Sequence, residues 1–514
     1  MNAKHLRAIT CTVALCLVLA GVGACAPLGA AQARSDDSGF KAVDNYITAR
    51  MGAAHIPGLS AAIVKGDQIV YLKGYGQADP SGRPVTPKTP FIIGSISKTF
   101  TAVAVMQLVE SGKVDLDAPV QRYLPWFRVA DPEASAQITV RSLLNHTSGL
   151  PQVTETFLWT DQDGGVLERT VRNLKTVALA RPVGAFGYSN ANYQIQGLIV
   201  QAVSGQSYEA YVDQHIFAPL EMQTSFTSQQ QAQQHGMATG YRWWFGFPIP
   251  ATMPYIRAEL PAGYLLSSAQ DMANYLIAQM NGGQYRHRSI LSPQGIAFMQ
   301  ARPAGVPYGN GWDTGRPMVN QDGATANFQA SVFFDPKERV GVFIAANVMN
   351  SLDGLSSPLG SATFAAITTR GMAQSVFSLA THHPLPDQGL GIERTSLIFD
   401  VLLVALTGAL VLALVRMPRR YRRLAHRGLA QWSELARRSG WIAALHFAWP
   451  AALVYVALTL PEWKEFVWFQ PDLTYWLSAV ATLVFLKGGI ESALVWRMFG
   501  RTRQIQARQR AHDP

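Results

Sequence analysis

The 514-residue sequence predicts an α+β domain, an antiparallel sheet flanked by helices, followed by three transmembrane helices. Three observations carry this. Alternating apolar runs sit near both ends of the region 39–367: Ser60 to Tyr75 turns at Lys65-Gly66-Asp67, and Ser331 to Phe334 and Val340 to Asn347 flank Asp335-Pro336-Lys337-Glu338. Between them lies a helical apolar run that starts at Ser95 and ends near Ser111-Gly112, so the sheet must be assembled from distant segments. Beyond the domain, residues 397–415, 441–460 and 474–496 are apolar runs close to the length a helix needs to cross a bilayer.

In chain order, residues 1–33 read as a secretory leader: Lys4 and Arg7, an apolar stretch from Ala8 to Ala24, and a small-residue cleavage site at Ala31-Gln32-Ala33. Lipidation at Cys25 after Val22-Gly23-Ala24 and an uncleaved anchor helix are the alternatives. Residues 34–380 form the folded domain, opened by helical periodicity from Lys41 to Met51. Residues 381–396 read as a linker; the paired His382 and His383 have no third metal ligand nearby, and neither metal nor cofactor is expected.

Charge gives the topology. Of the net +10, the segment from Leu397 onward carries 15 Lys and Arg against 7 Asp and Glu, which leaves the body of the chain at only +2. That distribution speaks for membrane and against nucleic acid as a partner. Eight arginines from Arg416 to Arg438 separate the first two apolar runs, five more lie between Arg497 and Arg510 in the tail 497–514, and the loop from Pro461 to Leu473 is mixed. Positive loops stay in the cytoplasm, which places the domain outside and the C-terminus inside, a multi-pass membrane protein with its domain in the periplasm. Trp441, Trp449, Trp463, Trp468 and Trp476 fall near the expected interfaces. Lys487 and Glu491, four apart in the third run, fit a self-neutralising pair or an ion path. All three cysteines lie in the first 25 residues, so the domain has no disulfide framework and no thiolate nucleophile.

Ser95-Ile96-Ser97-Lys98 opens the central helix. Residues three apart share a helix face, which puts a hydroxyl and an amine side by side, and in apolar surroundings an amine can activate a hydroxyl. The tetrad alone is weak, since Ser38 to Lys41 matches it too, in a polar segment. Three blocks add specificity: Phe91 to Ala102, Leu143-Leu144-Asn145-His146-Thr147-Ser148-Gly149-Leu150-Pro151, and Pro261-Ala262-Gly263-Tyr264-Leu265-Leu266-Ser267-Ser268. Together, and in this order, they resemble the class C β-lactamase and D-alanyl-D-alanine carboxypeptidase superfamily of penicillin-binding-protein-like serine hydrolases, over residues 40 to 367.

The resemblance implies an antiparallel sheet flanked by helices plus a helical subdomain, with the site between them. It implies Ser95 as nucleophile, Lys98 as its partner, and Tyr188-Ser189-Asn190 as the Y-x-N motif, with Tyr188 moving protons and Asn190 holding substrate. A second Y-x-N at Tyr308 to Asn310 sits in a Gly-rich region and is read as packing. The third motif departs: where the family has K-T-G or H-x-G, this chain has Gln321-Asp322-Gly323 before Ala324. Gln321, Asp322 and Gly323 would line the substrate, and the N–H groups of Ser95 and Ala324 would form an oxyanion hole. With no cation there, the motif favours neutral esters or amides over carboxylate-bearing substrates. The expected function is a membrane-tethered extracytoplasmic serine hydrolase acting through an acyl-enzyme on a small molecule or peptide; the alternative is a weakened ligand-binding or sensor module coupled to the membrane helices.

Overall fold

The structure is a computed structural model that describes residues 40–152, 162–244, 247–314, 318–349, 368–386, 391–425, 446–448, 450–451, 454–455 and 471–510. The leader with Cys11, Cys16 and Cys25, the serine of the Ser38 tetrad, the segment 426–445, most of the 441–460 run and the loop 461–470 lie outside these residues.

Helix α1 (Lys41–Ala53) buries Val43, Ile47 and Met51, a stripe four residues apart that faces the sheet. The chain then forms the expected hairpin of β1 (Gly58–Lys65) and β2 (Gln68–Gly76), turning through Gly66 at φ +66°. Helix α2 (Ser97–Glu110) follows a 3-10 turn at Gly94–Ile96, so Ser95 precedes the α-helix proper instead of opening it. Helix α3 (Ala191–Ser204) ends at Gly205 in the left-handed conformation. A hairpin of β3 (Tyr241–Trp244) and β4 (Phe247–Pro250) comes next, then α4 (Ala269–Met280), capped by Ser268 on the Asp271 N–H. Strands β5 (Val319–Thr325), β6 (Phe328–Asp335) and β7 (Val340–Ala346) complete the domain's main sheet.

That sheet runs β2-β1-β7-β6-β5 and is antiparallel throughout, and the β1–β7 pairing joins its first two strands to its last three across nearly 300 residues of chain. The α+β class and the antiparallel sheet flanked by helices are therefore present. Strand alternation sorts the two faces. On β6, Ser331 and Phe333 meet Thr369 and Phe377 of helix α5 (Thr368–Thr381), while Phe334 packs edge-on to Trp312, which stacks on Tyr275 of α4. Helix α2 runs behind this second face and is buried on nearly every side: Phe100 stacks on Tyr275 at 4.1 Å and meets Phe217 edge-on at 5.7 Å.

The C-terminal part differs from expectation in its boundaries. Helix α5 reaches Thr381, and the next helix, α6 (Gly391–Ala425), begins inside the expected linker 381–396 and continues beyond residue 415. Helix α7 (Pro471–Arg510) carries on through most of the basic tail, because arginine and glutamine propagate a helix as readily as apolar residues do. Among the described residues one helix is long and apolar enough to cross a membrane, Thr474–Leu494, and a shorter apolar helical stretch covers Val401–Met417. Three spans were expected; the described residues supply this one, and the middle run falls mostly outside them. Lys487 lies 3.3 Å from Glu491 and 2.8 Å from the His446 ring, and Gly488 leaves room for the His446 side chain.

Asp322, expected to line the substrate, is turned away from it. Its neighbour on β6 is Ser331, so alternation points it to the α5 face, where Ser331 donates to it at 2.7 Å and the Arg370 guanidinium clasps it. Burial pushes the Asp322 carboxyl up while Arg370 pulls it back down. Removing Arg370 leaves a buried carboxylate uncompensated, so Arg370→Met should cost about 3 kcal/mol in urea unfolding, and adding Asp322→Asn should recover most of it.

Candidate active site

The site begins with backbone that only glycine permits. Gly94 has φ +55°, and a Cβ there would lie 2.3 Å from the Ala324 nitrogen; a Cβ on Gly323 would lie 1.9 Å from the Ile93 carbonyl oxygen. The edge strand β5 thus lies directly against the turn that carries Ser95. Ser97, the inner serine of the tetrad, fastens that turn: it donates to the Gly94 carbonyl at 2.7 Å and accepts from the Leu265 N–H at 3.0 Å.

Lys98 is fully buried. Its amine donates to Ser95 Oγ at 3.0 Å, to Asn190 Oδ1 at 2.8 Å and to the Ala262 carbonyl at 2.5 Å, three donors for three acceptors. The Tyr188 hydroxyl donates to Ser95 Oγ at 2.9 Å, and the Tyr188 ring faces the Lys98 amine at 5.0 Å. Four residues from two distant motifs, Ser95, Lys98, Tyr188 and Asn190, therefore share one hydrogen-bonded cluster. Asn190 stands at the N-terminus of α3, and Pro261, beside the Ala262 acceptor, fits against α3 where Gly197 leaves room.

Gln321 faces the site side of β5 but is occupied within the protein. Its Oε1 accepts from the Tyr308 hydroxyl at 3.1 Å and its Nε2 donates to the Asp322 carbonyl at 3.2 Å. Tyr308, read from sequence as packing, is buried against His146 at 4.7 Å and Tyr188 at 6.2 Å, and burial raises its phenol well above the ordinary value.

Three groups had no role in the sequence reading. His146 lies under Tyr188, ring centroids 4.4 Å apart. Its Nδ1 accepts from the Ser189 N–H at 3.2 Å and faces the Asn192 amide at 2.9 Å, which assigns the proton to Nε2. The Ala262 carbonyl and Arg370 are the other two. His146 and Ala262 stand inside the quoted blocks, which was the available signal; the pairing of Arg370 with Asp322 had none.

The geometry agrees with what the chain resembles. The family model Beta-lactamase matches residues 43–358. The chain belongs to this family. Within it, Protein flp of Staphylococcus aureus (strain MW2) is 29% identical over 312 residues, 60% of this chain and 62% of that protein. The chain thus spans less than two thirds of that relative's length. Among solved structures, the octameric penicillin-binding protein homologue from Pyrococcus abyssi superposes with a TM-score of 0.56 at 28% identity, covering 66% of this chain and 77% of that one. The β-lactamase, penicillin-binding-protein-like fold is therefore shared, and the family is one of serine hydrolases.

Burial, and after it Lys98, hold the His146 ring well below its ordinary value, so it stays neutral in the folded chain. An unfolded histidine takes up a proton near pH 6.5, so below that pH the unfolded chain binds more protons than the folded one. The stability held by the neutral ring is complete above about pH 6.5 and is lost as pH falls. Urea unfolding should show a slope of up to about 1.4 kcal/mol per pH unit between roughly pH 6.5 and 5 from this residue. His146→Gln should flatten that slope; an unchanged slope would count against the assignment.

Proposed function

We propose that this protein is a membrane-tethered, extracytoplasmic serine hydrolase that works through an acyl-enzyme. The observation that carries the reading is Ser95 Oγ, which meets both the Lys98 amine at 3.0 Å and the Tyr188 hydroxyl at 2.9 Å. Ser95 Oγ attacks the substrate carbonyl and gives its proton to Lys98 acting in its neutral amine form, whose lone pair then stands in place of the donor to Ser95. Lys98 and Tyr188 relay that proton to the alcohol or amine that departs as its bond to the carbonyl carbon breaks. The N–H groups of Ser95 and Ala324 stabilise the oxyanion, a role supported by the close approach of the Ala324 nitrogen to Gly94. Water then attacks the acyl-Ser95 ester, the same groups move its proton, and Ser95 is released.

The substrate is a neutral ester or amide, on Gly323 and the Asn190 amide as lining groups. Strand β5, Val-Asn-Gln-Asp-Gly-Ala-Thr, carries no cation, and Asp322 is neutralised by Arg370 on the far face. The apolar helix Thr474–Leu494 and the arginine-rich segments support the tether and the external location of the domain. The engagement of both polar ends of Gln321 favours a second reading, a ligand-binding module with weakened chemistry.

A fluorophosphonate probe should label Ser95 in the wild type, and p-nitrophenyl ester turnover should vanish in Ser95→Ala. Lys98→Met should reduce kcat by about 100- to 10,000-fold. Folded protein with neither adduct nor turnover would leave the binding module as the function. Across esters, β-lactams and D-Ala-D-Ala peptides, Gln321→His should improve carboxylate-bearing substrates selectively; an equal change for all would refute the charge explanation.

A further inference from the structure

Among the described residues between 40 and 381, the large apolar side chains left exposed are Phe247, at 65%, and Ile249, at 46%. Both lie on β4, the outer strand of a small sheet. Single exposed apolar residues are ordinary. These two stand in a stretch from Trp243 to Ile256 that has no charged residue, closed off by Arg242 and Arg257. The hairpin also touches the helix read as a span: Trp244 of β3 meets Tyr475 at 5.5 Å, one residue into Thr474–Leu494.

The strand chemistry narrows the occupant. An exposed edge strand invites another chain to add to the sheet through its free N–H groups. Here Pro248 and Pro250 alternate with Phe247 and Ile249, and proline has no N–H to offer. Such an edge cannot template a protein strand, and it also brings fewer unmet donors into an apolar medium. Aromatic side chains beside the end of a span belong at the headgroup level of a bilayer.

We propose that the β3–β4 hairpin seats Phe247 and Ile249 in the outer interface of the same bilayer that Thr474–Leu494 crosses. The inference rests on the membrane reading above. It has a consequence for the site, because the Asn327 amide donates to the Ala251 carbonyl at the base of β4 at 3.1 Å, and Asn327 follows Ala324 by three residues. The hairpin thereby holds the oxyanion edge of the active site close to the lipid surface.

The test uses the full chain in vesicles of phosphatidylethanolamine and phosphatidylglycerol, with Cys11, Cys16 and Cys25 replaced by serine. A nitroxide is placed singly through Phe247→Cys, Ile249→Cys, Leu486→Cys and Lys337→Cys. Leu486 is exposed on the span, and Lys337 lies in the β6–β7 turn, at the end of the sheet away from the hairpin. Electron paramagnetic resonance then compares relaxation by oxygen, which enters lipid, with relaxation by a nickel chelate, which does not. The labels at 247 and 249 should show an oxygen-to-nickel ratio several-fold above that at 337 and shifted toward that at 486. Lipid-like relaxation at 486 with aqueous relaxation at 247 and 249 overturns the hairpin proposal and leaves the tether standing. Aqueous relaxation at 486 as well overturns the membrane reading, and the proposal falls with it.

Discussion

A lysine with no exposed surface is tolerable only where every donor finds an acceptor, and the architecture around Lys98 follows from that requirement. The three acceptors come from three places: Ser95 one helical turn earlier, Asn190 at the head of α3, and the carbonyl of Ala262. Each is fixed separately. Ser97 ties the Ser95 turn to Leu265, Thr101 donates to the Pro261 carbonyl at 2.6 Å, and Gly197 lets Pro261 approach α3. The amine therefore joins the helix that follows Ser95, the Y-x-N helix and the Pro261–Ser268 block into one unit. Loss of any acceptor would leave part of a buried amine unsatisfied, which makes the geometry of the cluster cooperative.

Much of this unit was legible in the sequence, because the residue pattern already marked its parts. Period-two alternation gave the β1–β2 and β6–β7 hairpins of the sheet, though not β5, and the spacing of Ser95 and Lys98 needed only helical geometry to bring the groups together. What was hidden depends on which face a residue takes. Gln321 and Asp322 are neighbours in one motif, yet the pleat sends one toward Tyr308 and the other toward Arg370. Nothing local shows which parity faces the site; the register against β6 decides it. Helix α5 was missed for a different reason. Its threonines, serines and Gly371 are weak helix formers, and it is held by burying Met372, Ala373, Val376 and Phe377 against the sheet.

His146 shows how a quoted block can hide its own physics. It stands within Leu143 to Pro151, but its contacts reach the motif that supplies Tyr188. Its Nδ1 takes the Ser189 N–H, and its ring contacts both Tyr188 and Tyr308, which also touch each other. A protonated ring could no longer accept at Nδ1 and would set a second cation near Lys98, so neutrality of His146 and the placement of Tyr188 are one condition. The hydrogen bond from Tyr308 to Gln321 extends the same aromatic cluster to β5.

Two features far apart in the chain then share one electrostatic character. The strand that lines the site carries glutamine where a cation would bind a carboxylate, and its one acidic side chain is compensated on the opposite face by Arg370. The hairpin whose base is tied to Asn327 is uncharged for fourteen residues, Trp243 to Ile256. Under the proposed function, a carboxylate-bearing substrate approaching from water would lose hydration along both and gain no cation from β5 in exchange. A neutral acyl compound loses little, and one with an apolar tail gains by burying it. The backbone nitrogen of Ala324 lies against Gly94, one residue before Ser95, so under the proposed function polarity and catalysis would be set by a single strand and its turn.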